Sequence, residues 1–242
     1  MTEPIRLYEE FYRHGMKIVD FESKNLNSIL HDILTSNLKD DFNLVQKYPG
    51  TGDLRPNVID YDDEFINVLK TNNIHKIINN ATLKDMTLYH IQARVSVADS
   101  FSYMDWHRDV HYYDYQETTQ SGREPPAVKL IYYPQFNFEP KSRLKFLLGS
   151  SKTMFYSKKE DMNLIASNYL KTAIISSSNN KAVLFDTSSL HAVVPESKGE
   201  SSIRLIYSFY PKVQILDEEL MGKNQNIKLH LRTSKTYDEI KQ

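Results

Sequence analysis

The stretch Tyr103-Met104-Asp105-Trp106-His107-Arg108-Asp109-Val110-His111 sets an imidazole and a carboxylate two positions apart, at His107 and Asp109. On an extended strand alternate side chains share a face, so this pair can take adjacent positions around one metal ion. Alone, a His-x-Asp triplet equally describes a solvated surface pair. Eighty-four residues on, His191 follows the apolar run Ala182-Val183-Leu184-Phe185, where a histidine needs partners, either as a satisfied strand-end residue or as a ligand. Then comes Ile203-Arg204-Leu205-Ile206-Tyr207-Ser208-Phe209-Tyr210, an apolar strand with a cation near its start. Arginine is costly to bury without an anion. Arg204 therefore calls for an internal salt bridge or for a ligand carboxylate held by its guanidinium fork. Taken together, two histidines and one carboxylate make the facial triad that leaves three positions on iron(II) open. Arg204, thirteen residues beyond the distal histidine, completes the set.

The order His-x-Asp, distant His, then Arg resembles the iron(II)/2-oxoglutarate dioxygenases, and in particular their phytanoyl-CoA dioxygenase-like branch. Three phrases carry the resemblance: Trp106-His107-Arg108-Asp109, Leu144-Lys145-Phe146-Leu147-Leu148-Gly149-Ser150-Ser151-Lys152, and Lys181 to His191. It spans about residues 86 to 210, with Ser151 standing where the branch often has histidine. The resemblance implies a double-stranded β-helix, a jelly-roll or cupin-like barrel, with His107, Asp109 and His191 as metal ligands and catalytic residues. It implies Fe(II) as cofactor, 2-oxoglutarate and O2 as co-substrates, and Arg204 as the partner of the far carboxylate of 2-oxoglutarate. The reaction implied is hydroxylation with release of succinate and CO2, since Asp109 retains the carboxylate that halogenating relatives lack.

Lesser candidates surround this core. Gln92 and Arg94 alternate with Ile91, Ala93 and Val95, so both are expected on one face, Gln92 toward the co-substrate and Arg94 toward the substrate; the alternative is an outward polar face. Lys129, within the apolar run Ala127 to Tyr133, is a further co-substrate candidate. His111 shares parity with His107 and Asp109, which makes it a rival ligand or, if the chain has turned away, a substrate contact. Tyr113 opens a long polar segment ending in Gly122 and Pro125-Pro126, where a substrate-selecting loop is expected.

The elements that must position these residues are legible in part. Leu26, Ile29, Leu30, Ile33 and Leu34 recur at helical spacing, as do Phe65, Val68, Leu69, Ile74, Ile77 and Ile78, with Pro49, Gly50, Gly52 and Pro56 spelling a loop between. From Met86 the pattern changes to short β-branched and aromatic runs: Thr87 to Val97, Ala127 to Tyr133, Arg143 to Leu148, Thr172 to Ile175, Ala182 to Asp186 and Ile203 to Tyr210. A helix is expected over Lys158 to Leu170. This reads as a mainly β, α+β chain of one domain over 1–242, with a helical buttress in 1–80, a catalytic jelly-roll core in 86–210 and a C-terminal extension in 211–242.

Composition sets outer limits. The 242 residues contain 30 basic and 31 acidic side chains, a net charge of −1, which argues against a global electrostatic attraction to nucleic acid or membrane. With no cysteine, a disulfide framework and a thiolate metal site are both excluded, leaving His and carboxylate as ligands. The N-terminal twenty residues carry charges throughout, and a soluble, cytoplasmic protein is expected. Sixteen tyrosines and eleven phenylalanines against seven glycines suit pleated surfaces. Three functions fit: a hydroxylase of a small-molecule metabolite or conjugate, the same chemistry on a protein side chain, nucleobase or glycan, and a non-catalytic cupin-like metal-binding jelly roll.

Overall fold

Along β9 (Lys181–Asp186) buried residues alternate between two apolar clusters, Ala182 and Leu184 in one, Val183 and Phe185 in the other. A strand with two buried faces must lie in a sheet covered on both sides. The computed structural model describes residues 3–35, 46–48, 52–56, 58, 61–96, 104–109, 127–134, 142–153, 158–175, 181–195, 202–211, 237 and 239. Their strands form two antiparallel sheets. The larger sheet has the order β1 (Met16–Asp20), β9, β6 (Val128–Tyr132), β11 (Ser202–Pro211), β4 (Met86–Ser96), β3 (Gly52–Pro56), β2 (Gln46–Tyr48). The smaller runs β5 (Met104–His107), β10 (His191–Pro195), β7 (Ser142–Leu147), β8 (Thr172–Ile175).

Helices cover one face of the larger sheet. They are α1 (Glu3–His14), α2 (Lys24–Thr35), α3 (Glu64–Thr71) and α4 (Ile74–Thr82), and they bring Phe11, Leu26, Leu30, Phe65, Leu69 and Ile78 against Leu130, Leu184, Leu205, Tyr207 and Phe209. Buried aliphatic and aromatic side chains each contribute about 1.5–3 kcal/mol of transfer free energy, so this is the main stabilising layer. Tyr132 donates to Asn27 Oδ1 at 2.6 Å, tying α2 to β6. On the other face, Ile131, Val183, Phe185 and Ile206 meet Leu144, Phe146 and Val193 of the smaller sheet. The strand register then decides which polar residues enter the space between sheets: Arg204 and Ser208 share parity with Ile206, and Lys129 with Ile131.

The six strands read from the sequence are present with ends within a residue or two, and α5 (Lys158–Ala166) ends short of Leu170. The first eighty residues differ from a purely helical buttress, because they also supply β1, β2 and β3 to the larger sheet. Within the stretch expected as a loop, Gly52–Pro56 pairs with β4. These strands are three to five residues long, too short to establish a period, and in β3, which lies between β4 and the edge strand β2, Gly52 and Pro56 stand at the two ends, where they are tolerated. Gly15 adopts φ +74° directly after α1, a left-handed C-terminal position that favours glycine. Among the described residues no helix is long and apolar enough to cross a membrane.

Candidate metal centre

His107 closes β5 and His191 opens β10, and the two are directly paired in register across the smaller sheet. Their ring centroids lie 4.3 Å apart. Asp109, two residues past the strand end, turns back between them, with Oδ1 3.7 Å from His107 Nε2 and Oδ2 3.6 Å from His191 Nε2. One ligand atom from each of the three lies within 4.8 Å of the others. The spacing suits one ion.

The tautomers also suit it. His107 Nδ1 donates to the Asp105 carbonyl at 2.6 Å and His191 Nδ1 to the Ser189 carbonyl at 2.9 Å. A carbonyl can only accept, so in each neutral ring Nε2 keeps its lone pair, turned toward Asp109. Burial pushes His191 down to about 4, with Asp109 opposing, so the ring is neutral near pH 7. For Asp109 burial works upward, but the Lys129 ammonium, with the neighbouring His191 and His107, outweighs it and holds the carboxyl well below the usual carboxylate range. Phe185 and Phe146 flank His191 at 4.9 and 5.7 Å between centroids, which keeps water off that side. Two imidazoles and one carboxylate are a donor set for a divalent first-row metal.

The connection into His191 is unusually well held. Asp186, Thr187, Ser188 and Ser189 are all buried although polar. Asp186 Oδ1 accepts from the Ser188 amide at 2.8 Å and its hydroxyl at 2.6 Å; the Thr187 amide and hydroxyl donate to the Ala127 carbonyl at 3.2 and 3.0 Å. Ser150 Oγ accepts from the Leu190 amide at 2.8 Å, and Ser189 donates to the Gly15 carbonyl at 3.1 Å. A Cβ at Gly15 would come within 2.9 Å of Ser151 Oγ and collide with Ser189, so glycine is required by space as well as by φ. Four consecutive turn-forming residues inside an apolar run were the sequence signal for this turn.

Behind the metal group the register lines up polar side chains on the interior face of the larger sheet. Ser208 is opposite Lys129 on one side and His90 on the other. Lys129 Nζ is 3.0 Å from Asp109 Oδ2, so Lys129 contacts a carboxylate of the triad itself. Gln92 is opposite Ile206 and Arg94 is opposite Arg204, which places both on the interior face. Arg204 is 5% exposed, and its buried Nη1 makes no hydrogen bond to the described residues. His111 and Tyr113, with the segment expected to carry the substrate loop, lie outside the described residues.

Two residues were missed by the sequence reading. Arg108, between two members of the triad, is buried and forms an ion pair with Asp161 of α5, Nη2 to Oδ1 at 3.0 Å. His90, also buried, is held down to about 3 by burial and by Lys129. The signal for Arg108 was parity: on a strand the middle residue of His-x-Asp must point away from the metal face.

The sequence matches no family model and no curated protein. Solved structures do match. EctD from S. alaskensis, solved with bound Fe, superposes with a TM-score of 0.66 at 12% identity over 87% of this chain and 79% of its own. The non-haem alpha-ketoglutarate (2-oxoglutarate) dependent epimerase SnoN from nogalamycin biosynthesis gives 0.65 at 12% identity over 86% and 83%. HygX from Streptomyces hygroscopicus, solved with nickel, 2-oxoglutarate and hygromycin B, gives 0.61 at 14% over 88% of both chains. The chain has the fold of non-haem 2-oxoglutarate-dependent enzymes. At these identities the likeness is one of architecture, and the site argument rests on this chain's own residues.

Proposed function

We propose that this protein is an iron(II)- and 2-oxoglutarate-dependent oxygenase that hydroxylates an unactivated carbon of a small-molecule metabolite or conjugate, releasing succinate and CO2. The two sheets are then the halves of a double-stranded β-helix with the metal between them. The observation that carries the reading is the convergence of His107, Asp109 and His191, with a buried, incompletely bonded Arg204 on the same interior as the metal group. His107 Nε2, His191 Nε2 and one Asp109 oxygen would hold Fe(II). When bound, the metal and 2-oxoglutarate supply the activation of O2 and the oxidising equivalents for the substrate C–H bond.

This chain's residues then bind, orient and exclude water. Arg204 offers a bidentate fork to the carboxylate remote from the metal, and Arg94 directly opposite strengthens the positive potential there. Lys129 holds one Asp109 oxygen and lies beside the space for the co-substrate, with Gln92 on the next interior row. Phe146 and Phe185 keep the His191 side dry. His111 and Tyr113, in the segment between β5 and β6, are the proposed substrate contacts. A small substrate is favoured because HygX was solved with hygromycin B and SnoN belongs to nogalamycin biosynthesis. The phytanoyl-CoA dioxygenase-like branch rests on the three sequence phrases.

The test is anaerobic titration of the protein with Fe(II) and 2-oxoglutarate, followed by admission of air with a metabolite library and measurement of succinate. Saturable binding of both and substrate-stimulated succinate are expected. Metal uptake without 2-oxoglutarate binding would replace the oxygenase reading with a cupin-like metal-binding protein.

A further inference from the structure

The residue between the two proximal ligands does more than separate them. Arg108 is 2% exposed at its side chain, and all five of its N–H donors are engaged. Nε and one Nη2 hydrogen go to Asp161, at 3.1 and 3.0 Å. The other Nη2 hydrogen goes to the Thr153 carbonyl at 2.8 Å, and Nη1 donates to the carbonyls of Ser150, at 3.0 Å, and Ser188. Ser188 is three residues before His191. One guanidinium thus ties the His107–Asp109 segment to the turn that delivers the distal ligand, to the 3-10 turn at Ser150–Lys152 and to α5. A backbone bond from the Asp109 amide to the Thr187 carbonyl, 3.0 Å, runs beside it.

We infer that Arg108 is a positioning residue that sets the separation of the proximal and distal metal ligands by clamping β5 to the β9–β10 turn. This rests on the proposed metal site and adds a role for the variable residue of the His-x-Asp triplet. Its physical basis is the geometry of guanidinium. A planar fork reaches acceptors on three separated segments at once, whereas an ammonium has three donors on one atom and a hydrophobe has none. With the clamp gone, the pairing of β5 with β10 and the Asp109 amide still join the two ligand segments, but the turn that delivers His191 is no longer tied to the residue between the proximal ligands, and the Nε2 atoms lose their fixed spacing.

The experiment measures Co2+ binding by calorimetry and the d–d absorption of the Co2+-loaded protein, beside thermal unfolding of the metal-free protein. Arg108→Met is expected to weaken Co2+ binding at least tenfold, roughly the cost of losing an outer-shell partner, and to change the absorption envelope. Arg108→Lys is expected to fall between Met and wild type. Asp161→Asn leaves the Ser188 and Ser150 contacts in place and should lower Tm with near wild-type Co2+ affinity and spectrum. If Arg108→Met does not fold, Arg108→Lys decides, because its affinity must drop while its circular dichroism stays native. Variants that lose Tm but keep wild-type Co2+ affinity and spectrum would overturn the positioning role. So would an Asp161→Asn loss equal to that of Arg108→Met. Wild type that takes up no divalent metal would instead defeat the proposed function, so the two failures are separable.

Discussion

Replacing Arg204 with alanine separates a 2-oxoglutarate enzyme from any other metal-binding protein of this fold. Arg204 is 5% exposed on an apolar strand, and its Nη1 is buried without a hydrogen bond to the described residues, so an anion arriving there meets a desolvated fork. Removing one partner of a buried charge pair costs roughly 3–5 kcal/mol, because the other charge is left uncompensated. At about 1.4 kcal/mol per decade that is a loss of about two to nearly four orders of magnitude in affinity. Arg204→Ala is therefore expected to weaken 2-oxoglutarate binding at least a hundredfold, with Fe(II) affinity nearly unchanged because Arg204 contacts none of the three metal-binding side chains. Arg204→Lys should recover only part, since an ammonium cannot reproduce the bidentate contact. The assay is calorimetric titration of 2-oxoglutarate into anaerobic Fe(II) protein at equal salt. Equal binding by wild type and Arg204→Ala refutes the assignment of Arg204.

Asp109→Ala should abolish metal uptake and turnover while the fold persists, because the apolar clusters lie on both sides of the sheet independently of the metal; a circular dichroism spectrum of an unfolded chain would contradict this. Lys129→Met removes the cation 3.0 Å from Asp109 Oδ2 and is expected to raise the apparent pKa of the metal-free Asp109 carboxyl, read by NMR titration. Besides Asp109 and His191, two buried groups of opposite sign should make stability depend on pH. His90 titrates near 3 when folded against 6.5 as its ordinary value, so the unfolded chain binds more protons between these limits, and stability is lost as pH falls from 6.5 toward 3. At about 1.4 kcal/mol per pH unit this amounts to roughly 5 kcal/mol at most, and His90→Gln should flatten it in denaturant melts of the metal-free protein. Asp186 is raised to about 6 by burial, against the Ser188 hydrogen bonds and Arg108, so it lowers stability as pH rises from 3.8 to 6, and Asp186→Asn should steepen the net rise. Gly15→Ala should destabilise the protein by roughly 1–3 kcal/mol, the cost of a residue in a sparsely populated backbone region plus displacement of Ser189, measured by Tm.

Local chemistry was written in the sequence by itself. The β-branched and aromatic runs located six strands, and residue type and order, with the family resemblance, singled out His107, Asp109, His191 and Arg204 as the candidate set. Even the interior parity of Gln92, Arg94 and Lys129 was implicit, because a strand with period two allows only two faces. Tertiary structure decided everything that depends on contacts between distant segments. That β1, β2 and β3 join the larger sheet is a matter of pairing with β9 and β4, and strands this short carry no periodic signal of their own. That Lys129 meets Asp109 depends on the packing of one sheet over the other. That Arg108 joins three separate segments follows from where α5, the 3-10 turn at Ser150–Lys152 and the β9–β10 turn come to rest. The physical reason is the same throughout. A side chain's type fixes what partner it requires, while which partner it obtains is settled by the long-range pairing of strands, and that pairing is selected by the burial of both faces of the sheet together.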